Sequence, residues 1–221
     1  MLIVRHVHCH GKSFDQLWCA EVVHEPGVRR AAASVVRVLG TACGVGVEGT
    51  GWVARPNLVV TAAHVVAGQD DTVVELQSGG RLPASVVQFD RRNDIAVLRI
   101  KDLGLRALEL ASAKAGTAVA VLGFPENGPF AVTLARIGGT SVVLAEDAYG
   151  SGPVTRRITS LRGRVRHGDS GAPAVDSEGG VQATIFAARL GAVGGYGVPA
   201  DVVRDDLDGV TGPVTTGKCA P

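Results

Sequence analysis

His167-Gly168-Asp169-Ser170-Gly171-Ala172-Pro173 decides how the rest of the chain is read. A serine hydroxyl is a poor nucleophile unless a base takes its proton and donors stabilise the oxyanion that its attack creates. Gly168 and Gly171 bracket Ser170 and permit a tight turn, with the N–H groups of Gly168 and Ser170 converging on one point. A side chain at either glycine is expected to crowd an approaching carbonyl. The turn thus offers a nucleophile and an oxyanion hole. It lacks a base and a carboxylate to orient that base.

Both lie upstream. Thr61-Ala62-Ala63-His64-Val65-Val66 sets a histidine among small apolar residues, directly after the strand-like Asn57-Leu58-Val59-Val60. Arg91-Arg92-Asn93-Asp94-Ile95-Ala96-Val97-Leu98 sets an aspartate at the mouth of another apolar run. The order His64, Asp94, Ser170 is that of chymotrypsin and differs from the orders in subtilisin and the α/β-hydrolases. With these three motifs the chain, over roughly residues 33–207, resembles the trypsin-like serine peptidases. The resemblance implies an all-β, chymotrypsin-like fold: two six-stranded antiparallel β-barrels and a short C-terminal helix. The expected domains are a poorly ordered stretch over residues 1–27, a first barrel over 28–112, and a second barrel with helix and tail over 113–221.

Composition agrees with such a fold. Apolar residues make up 46% of the 221 and aromatics 4%, so Val, Leu, Ile and Ala must build the core. Thirty glycines and ten prolines suit short strands and tight turns. A net charge of +1 gives no ground for a nucleic-acid partner. No apolar run is long enough to cross a membrane, and the interrupted start Met1-Leu2-Ile3-Val4-Arg5-His6 does not read as a signal peptide. His6, His8, His10 and His24 cluster near Cys9 and Cys19, but their spacing fits no zinc pattern, so no metal and no cofactor is expected.

Taken in order, Val28 to Ala33 reads as a helical turn and Ser34 to Leu39 as a strand. Gly44 to Val53 reads as a glycine-rich pair of strands, and Thr72 to Leu76, Leu82 to Phe89 and Asp94 to Ile100 complete the first barrel. Leu103 to Gly116 is an irregular connection. Strands follow from Val119, over Phe130 to Ile137, Ser141 to Ala145, Val154 to Gly163, Ala172 to Val175, Val181 to Ala188 and Gly195 to Pro199. A terminal helix then runs to Asp206.

The G-x-G-W-V of residues 49–53 and the G-x-P of 123–125 resemble the HtrA branch of the family. With T-A-C-G at 41–44, the segment Val38 to Val66 is similar to the protease domain of the MarP group, whose members are membrane-anchored, periplasmic acid-resistance proteases. That resemblance implies a serine endopeptidase of proteins or peptides placed outside the cytoplasm. Membrane association is expected only through a segment not present here, and no PDZ domain is expected after the terminal helix. No Arg-Ile-Val-Gly-Gly activation site occurs, so Asp169 is not expected to pair with a new N-terminus.

Position and resemblance also pair Cys43 with Cys219 as a disulfide. Free thiols, or pairings that draw in Cys9 or Cys19, stay open on residues alone. Such a bridge persists in an oxidising compartment.

The substrate pocket is expected between Leu161 to His167, Ile185 to Ala188 and Gly195 to Gly197, bringing Arg164, Arg166, His167, Ile185, Phe186, Ala187 and Tyr196 to the substrate. Arg164 stands six residues before Ser170, where relatives that cut after Arg or Lys carry a carboxylate. Arg162, Arg164 and Arg166 would share one strand face, with a solvated face favoured over substrate contact. Phe186 stands where many relatives have a hydroxyl that supports the aspartate.

Two rivals remain. A silent trypsin-fold binding module usually loses a triad residue or an oxyanion glycine, whereas His64, Asp94, Ser170 and Gly168 are all present. An esterase would use the same parts, but the extended Val181 to Ala188 favours peptides by strand pairing.

Overall fold

The structure is a computed structural model that describes residues 22–220 except 190 and 192. Valine-rich runs become strands because β-branched side chains pack well on a pleated, half-buried surface. In the first barrel these are β1 (Val35–Ala42), β2 (Val45–Arg55), β3 (Leu58–Thr61), β4 (Val73–Glu75), β5 (Arg81–Asp90) and β6 (Ile95–Ile100). They close in the order β1-β2-β3-β6-β5-β4. The second barrel holds β7 (Ala118–Gly123), β8 (Ala131–Ala145), β9 (Val154–Gly163), β10 (Pro173–Val175), β11 (Val181–Ala188) and β12 (Gly195–Pro199). It closes in the order β10-β11-β12-β9-β8-β7. Closure gives each strand two neighbours, although beyond Ile185 β11 pairs only with β12. The helices are α1 (Pro26–Ala32), α2 (Ala63–Val66) and α3 (Ala200–Asp208).

Two expected strand pairs are single strands. Residues 44–53 do not fold back on themselves. They form most of β2, pairing with β1 from Val35↔Trp52 to Ala42↔Val45. The glycines there admit neighbours: a Cβ on Gly49 would lie 2.7 Å from the Val65 side chain and 3.0 Å from the Ser170 carbonyl. Likewise Phe130 to Ile137 and Ser141 to Ala145 are one strand, β8, whose register against β9 shifts between Ile137 and Thr140. Gly138 and Gly139 form a bulge rather than a break. These two mergers bring each barrel to six strands.

The barrels meet along β2, which is buried from Gly49 to Val53. Trp52 is fully enclosed, and its indole N–H donates to the Thr184 hydroxyl on β11 at 3.2 Å. One apolar cluster fills the first barrel and runs on into the seam through Leu122, Phe124, Val175 and Phe186. A smaller one of Val119, Val121, Ile137, Leu161 and Ile185, with several alanines, fills the second barrel.

At the N-terminal side the described residues begin at Val22. Val22 is buried, and Gly27 packs so closely on the β10–β11 turn that a Cβ would sit 2.2 Å from the Ser177 carbonyl. The cluster of His6, His8, Cys9, His10 and Cys19 lies outside the described residues, and His24 is exposed. No helix among the described residues is long and apolar enough to cross a membrane.

Beyond α3 the tail returns to the first barrel. The Val214 N–H donates to the Val86 carbonyl at 2.9 Å, the Thr216 hydroxyl accepts from the Gly68 N–H at 3.0 Å, and Cys219 is bonded to Cys43 in the β1–β2 turn with Cα atoms 6.2 Å apart. The tail thus carries Cys219 to its partner. The bridge spans 176 residues, and loops of that size carry up to about 5 kcal/mol of chain-entropy stabilisation. At roughly 2–4 °C per kcal/mol for a domain of this size, reduction or Cys219→Ala should lower the thermal midpoint by up to about 10–20 °C. A midpoint unmoved by reductant would show that the tail is held without the bridge.

Candidate active site

Three elements bring the expected triad together. β3 ends at Thr61, and the single turn of α2 directs His64 toward the seam. The β5–β6 turn carries Asp94 at φ +62°, so β6 begins one residue later than the sequence suggests. That turn is held by Asp90, whose carboxylate accepts the N–H groups of Arg92 at 2.8 Å and Asn93 at 3.0 Å. The nucleophile turn lies just before β10.

Asp94, 5% exposed, grips His64 twice. Oδ1 accepts the His64 backbone N–H at 2.9 Å, and Oδ2 lies 2.8 Å from Nδ1. Nε2 stands 2.9 Å from the Ser170 hydroxyl. With a proton on Nδ1 bonded to Asp94, Nε2 is left free to accept from the serine. Burial pulls the His64 pKa down, but the charge and hydrogen bond of Asp94 outweigh it and the net direction is up from 6.5, with Arg156 pulling the other way.

The Gly168 and Ser170 N–H groups donate to no acceptor among the described residues, so both are available to a ligand. Gly168 and Gly171 both have φ +85°. A Cβ on Gly168 would lie 2.3 Å from the Phe124 carbonyl, and one on Gly171 would lie 2.0 Å from the Thr50 carbonyl. The crowding expected against a substrate is therefore crowding against the chain's own backbone.

Thr50 on β2, which the sequence reading passed over, ties this turn to the first barrel. Its hydroxyl donates to the Gly168 carbonyl at 2.7 Å and accepts the Phe124 N–H at 3.1 Å. Its own N–H donates to the Ser170 carbonyl at 2.8 Å, and its carbonyl accepts the Thr61 hydroxyl at 2.7 Å. The only signal in the sequence was a polar residue between two glycines.

Asp169 is almost wholly enclosed and accepts the Arg166 N–H at 2.9 Å. Burial raises its pKa to about 6, with the Arg166 N–H and charge pulling it down.

The expected pocket residues divide. Gly163, at φ +150°, ends β9, so Arg164 and Arg166 do not share a strand face with Arg162. Arg164 is exposed; Arg166 is half-buried and donates to the Thr133 hydroxyl at 3.2 Å. His167 is exposed, and its carbonyl accepts the Glu126 N–H at 2.7 Å. Ile185 is 1% exposed in the second barrel's core, so its side chain is turned away from any substrate. Phe186 is 9% exposed, with the Arg156 guanidinium 4.1 Å from its ring centre and Tyr196 stacked at 6.5 Å. Ala187 and Tyr196 pair across β11 and β12 and remain partly exposed.

The family model of the trypsin-like peptidase domain matches residues 49–183. The chain is 38% identical to the serine protease Rv3671c of Mycobacterium tuberculosis over 207 residues, covering 90% of this chain and 52% of that protein. It is 31% identical to a probable periplasmic DegP-like serine endoprotease of Halomonas elongata, covering 72% of this chain and 34% of that protein. The chain thus spans about half the length, or less, of these curated relatives. The crystal structure of Rv3671c protease in its active form is similar at 37% identity and a TM-score of 0.85, covering 90% of this chain and 91% of that one. The inactive form gives 0.75 at 36% identity, covering 86% and 94%.

Thr50→Val keeps the shape but leaves the Gly168 carbonyl and Phe124 N–H unpaired, which should cost about 1–3 kcal/mol. Loosening the nucleophile turn should also slow acylation of Ser170 by about tenfold or more. Thr50→Ser should retain both properties, as read by chemical denaturation and reaction with an activated ester. Full stability and rate in the valine variant would remove Thr50 from the site.

Two buried carboxyls set a pH dependence of stability. Asp206 on α3, 6% exposed, accepts from the Gln88 amide at 3.0 Å. Burial raises its pKa to about 7, helped by the Asp90 and Asp205 charges and opposed by the Gln88 hydrogen bond. Asp206 and Asp169 both bind their protons more tightly folded than unfolded, so from about pH 4 to pH 7 the folded state holds more protons and stability falls as pH rises. The raised His64 pKa acts in the same sense. Asp147 and Asp201, held low despite burial chiefly by hydrogen bonds from Arg91 and Arg157, oppose it only in stronger acid. The thermal midpoint of Ser170→Ala protein should therefore rise from pH 8 to pH 5, and Asp206→Asn should flatten that rise. A midpoint that falls toward pH 5 would contradict the assignment.

Proposed function

The chain belongs to the trypsin-like peptidase family, and on that premise we propose that it is a serine endopeptidase acting on proteins or peptides through Ser170, His64 and Asp94. The observation that carries this reading is the unbroken run of short contacts from Asp94 Oδ2 through His64 to the Ser170 hydroxyl, at 2.8 and 2.9 Å, beside two undonated N–H groups.

In this reading His64 Nε2 takes the Ser170 proton as Oγ attacks the scissile carbonyl carbon. The carbonyl oxygen gains the negative charge and is met by the Gly168 and Ser170 N–H groups. Asp94 stabilises the imidazolium, which then gives its proton to the leaving amine. Water repeats the sequence on the acyl-enzyme, with His64 again as base. The extended β11 offers backbone groups to a peptide beside the site, which favours peptides over small esters.

The proposal places this activity outside the cytoplasm, in a stress or acid-resistance role. The Cys43–Cys219 bridge supports an oxidising compartment. Buried carboxyls that favour the protonated, folded state support exposure to acid.

A fluorophosphonate should label Ser170 alone, at a rate that declines as pH drops through the His64 pKa. Ser170→Ala should lower peptide hydrolysis by roughly 10⁴-fold or more. His64→Ala should suppress labelling. Stoichiometric labelling of the His64→Ala protein, or adducts elsewhere, would sink the assignment.

A further inference from the structure

Arg156 on β9 is the only arginine among the described residues that is nearly enclosed, at 7% exposure. A guanidinium carries five N–H donors and is costly to bury without acceptors. Among the described residues Nε has no hydrogen-bond partner, and Nη1 reaches the Arg92 carbonyl at a long 3.4 Å. The group lies over the Phe186 ring, 4.1 Å from its centre, and Phe186 is backed by Tyr196. The ring face attracts a cation, but one ring does not replace the lost hydration of a full charge.

The remaining compensation is anionic. The charges that favour ionised Arg156 are Asp94, Asp147 and Asp90. Two of these are already engaged: Asp147 accepts two hydrogen bonds from Arg91, and Asp90 accepts the N–H groups of Arg92 and Asn93. Asp94 is different. Among the described residues its hydrogen bonds come from His64 alone, through the backbone N–H and Nδ1. When the imidazole is neutral, the buried Asp94 charge has no other cation of its own.

We propose that Arg156 is a positioning residue of the triad, a fixed buried cation seated on Phe186 and reaching the Arg92 carbonyl in the turn that carries Asp94, where its charge favours the neutral, proton-accepting form of His64. Arg156 attracts the carboxylate that orients the imidazole, and it repels the imidazolium that excess protons would create. It therefore holds the base competent further into acid than the Asp94–His64 pair would manage alone. Phe186 serves as the seat of this cation, and the aromatic there ceases to be a missing hydroxyl.

Other charges face the same region. Arg92 donates to the Thr155 carbonyl, Arg157 pairs with Asp201, and Asp205 and Asp206 on α3 line a cavity of about 360 Å³ with Arg156 and Asn93. Arg157 is exposed and already paired, so it serves as a control on the same strand.

The inference rests on the peptidase reading, and its test separates the two. The His64 imidazole pKa is measured by NMR in the full chain carrying Arg156→Met, Arg156→Gln, Arg156→Lys or Arg157→Met. Methionine and glutamine should raise that pKa by about half a unit or more, the scale of one like charge several ångströms away. Lysine should leave it near the parent value, and Arg157→Met should not move it. The acid limb of kcat/KM for an activated ester should shift in parallel, with KM little changed. Glutamine decides the matter should methionine prevent folding. A parent protein that resists fluorophosphonate would overturn the peptidase reading while the NMR shifts still judge Arg156. A His64 pKa unchanged by both neutral variants, or moved as far by lysine as by methionine, would overturn this proposal.

Discussion

The Thr50 hydroxyl, 2.7 Å from the Gly168 carbonyl, joins two barrels that each close on themselves. Their closure creates a problem that the rest of the structure has to solve. His64 and Asp94 hang from the first barrel and Ser170 from the second, so the triad exists only while the barrels stay in register. A misplacement of about 1 Å between reacting groups costs orders of magnitude in rate. Neither barrel's internal ladder constrains the other.

The seam is accordingly crowded with directional contacts rather than apolar ones alone. Trp52 donates to Thr184, and Arg37 donates to the Gly128 carbonyl at 2.6 Å while lying over Phe124. Arg91 and Arg92, three and two residues before Asp94, reach Asp147 and the Thr155 carbonyl of the second barrel. The turn that presents the carboxylate is thus fixed from across the seam as well as from its own strands. Hydrogen bonds to charged groups in such half-buried places carry more geometric information than apolar packing, because they weaken steeply when misaligned. Phe186 and Arg156 belong to the same logic: an aromatic ring supplies a flat seat, and a buried cation is held where carboxylates gather.

Much of this was legible in the sequence because the relevant chemistry is local. Gly168-Asp169-Ser170-Gly171 needs positive φ at its glycines, and valine runs need pleated surfaces, so the two barrels and the nucleophile turn could be read from short segments. The joins between segments were not legible. Gly46, Gly49 and Gly51 suggest a turn when counted by propensity, yet Gly49 and Gly51 admit Val65 and Val59 against an unbroken strand. Gly138-Gly139 suggested a loop and proved a bulge. Arg164 and Arg166 lost their shared face because Gly163 ends the strand. Thr50 reaches the Gly168 carbonyl and Arg156 the Arg92 carbonyl, 118 and 64 residues away, and no local pattern announces a contact at that range. Ile185 followed from counting along β11, but the register shift between Ile185 and Ala187 decides which side chains reach the surface.

On the proposed mechanism, proton binding sets stability and activity against each other. Asp169 and Asp206 are carboxyls that the fold encloses more readily when neutral, so acid favours the folded state until the paired carboxylates Asp147 and Asp201 begin to protonate. His64, in contrast, is useful as a base only when unprotonated, and Asp94 draws a proton onto it. A chain that gained acid stability by enclosing carboxyls would therefore become durable and inactive together unless something opposed the pull of Asp94. A second carboxylate would deepen the pull, and an exposed lysine would be screened by solvent. A buried arginine satisfies both conditions: it stays charged at every relevant pH, and its field reaches His64 through a medium of low polarisability. The burial of Arg156 with few acceptors, unfavourable as a contribution to folding, is intelligible on the proposed mechanism as the charge that opposes the pull of Asp94 on the His64 proton.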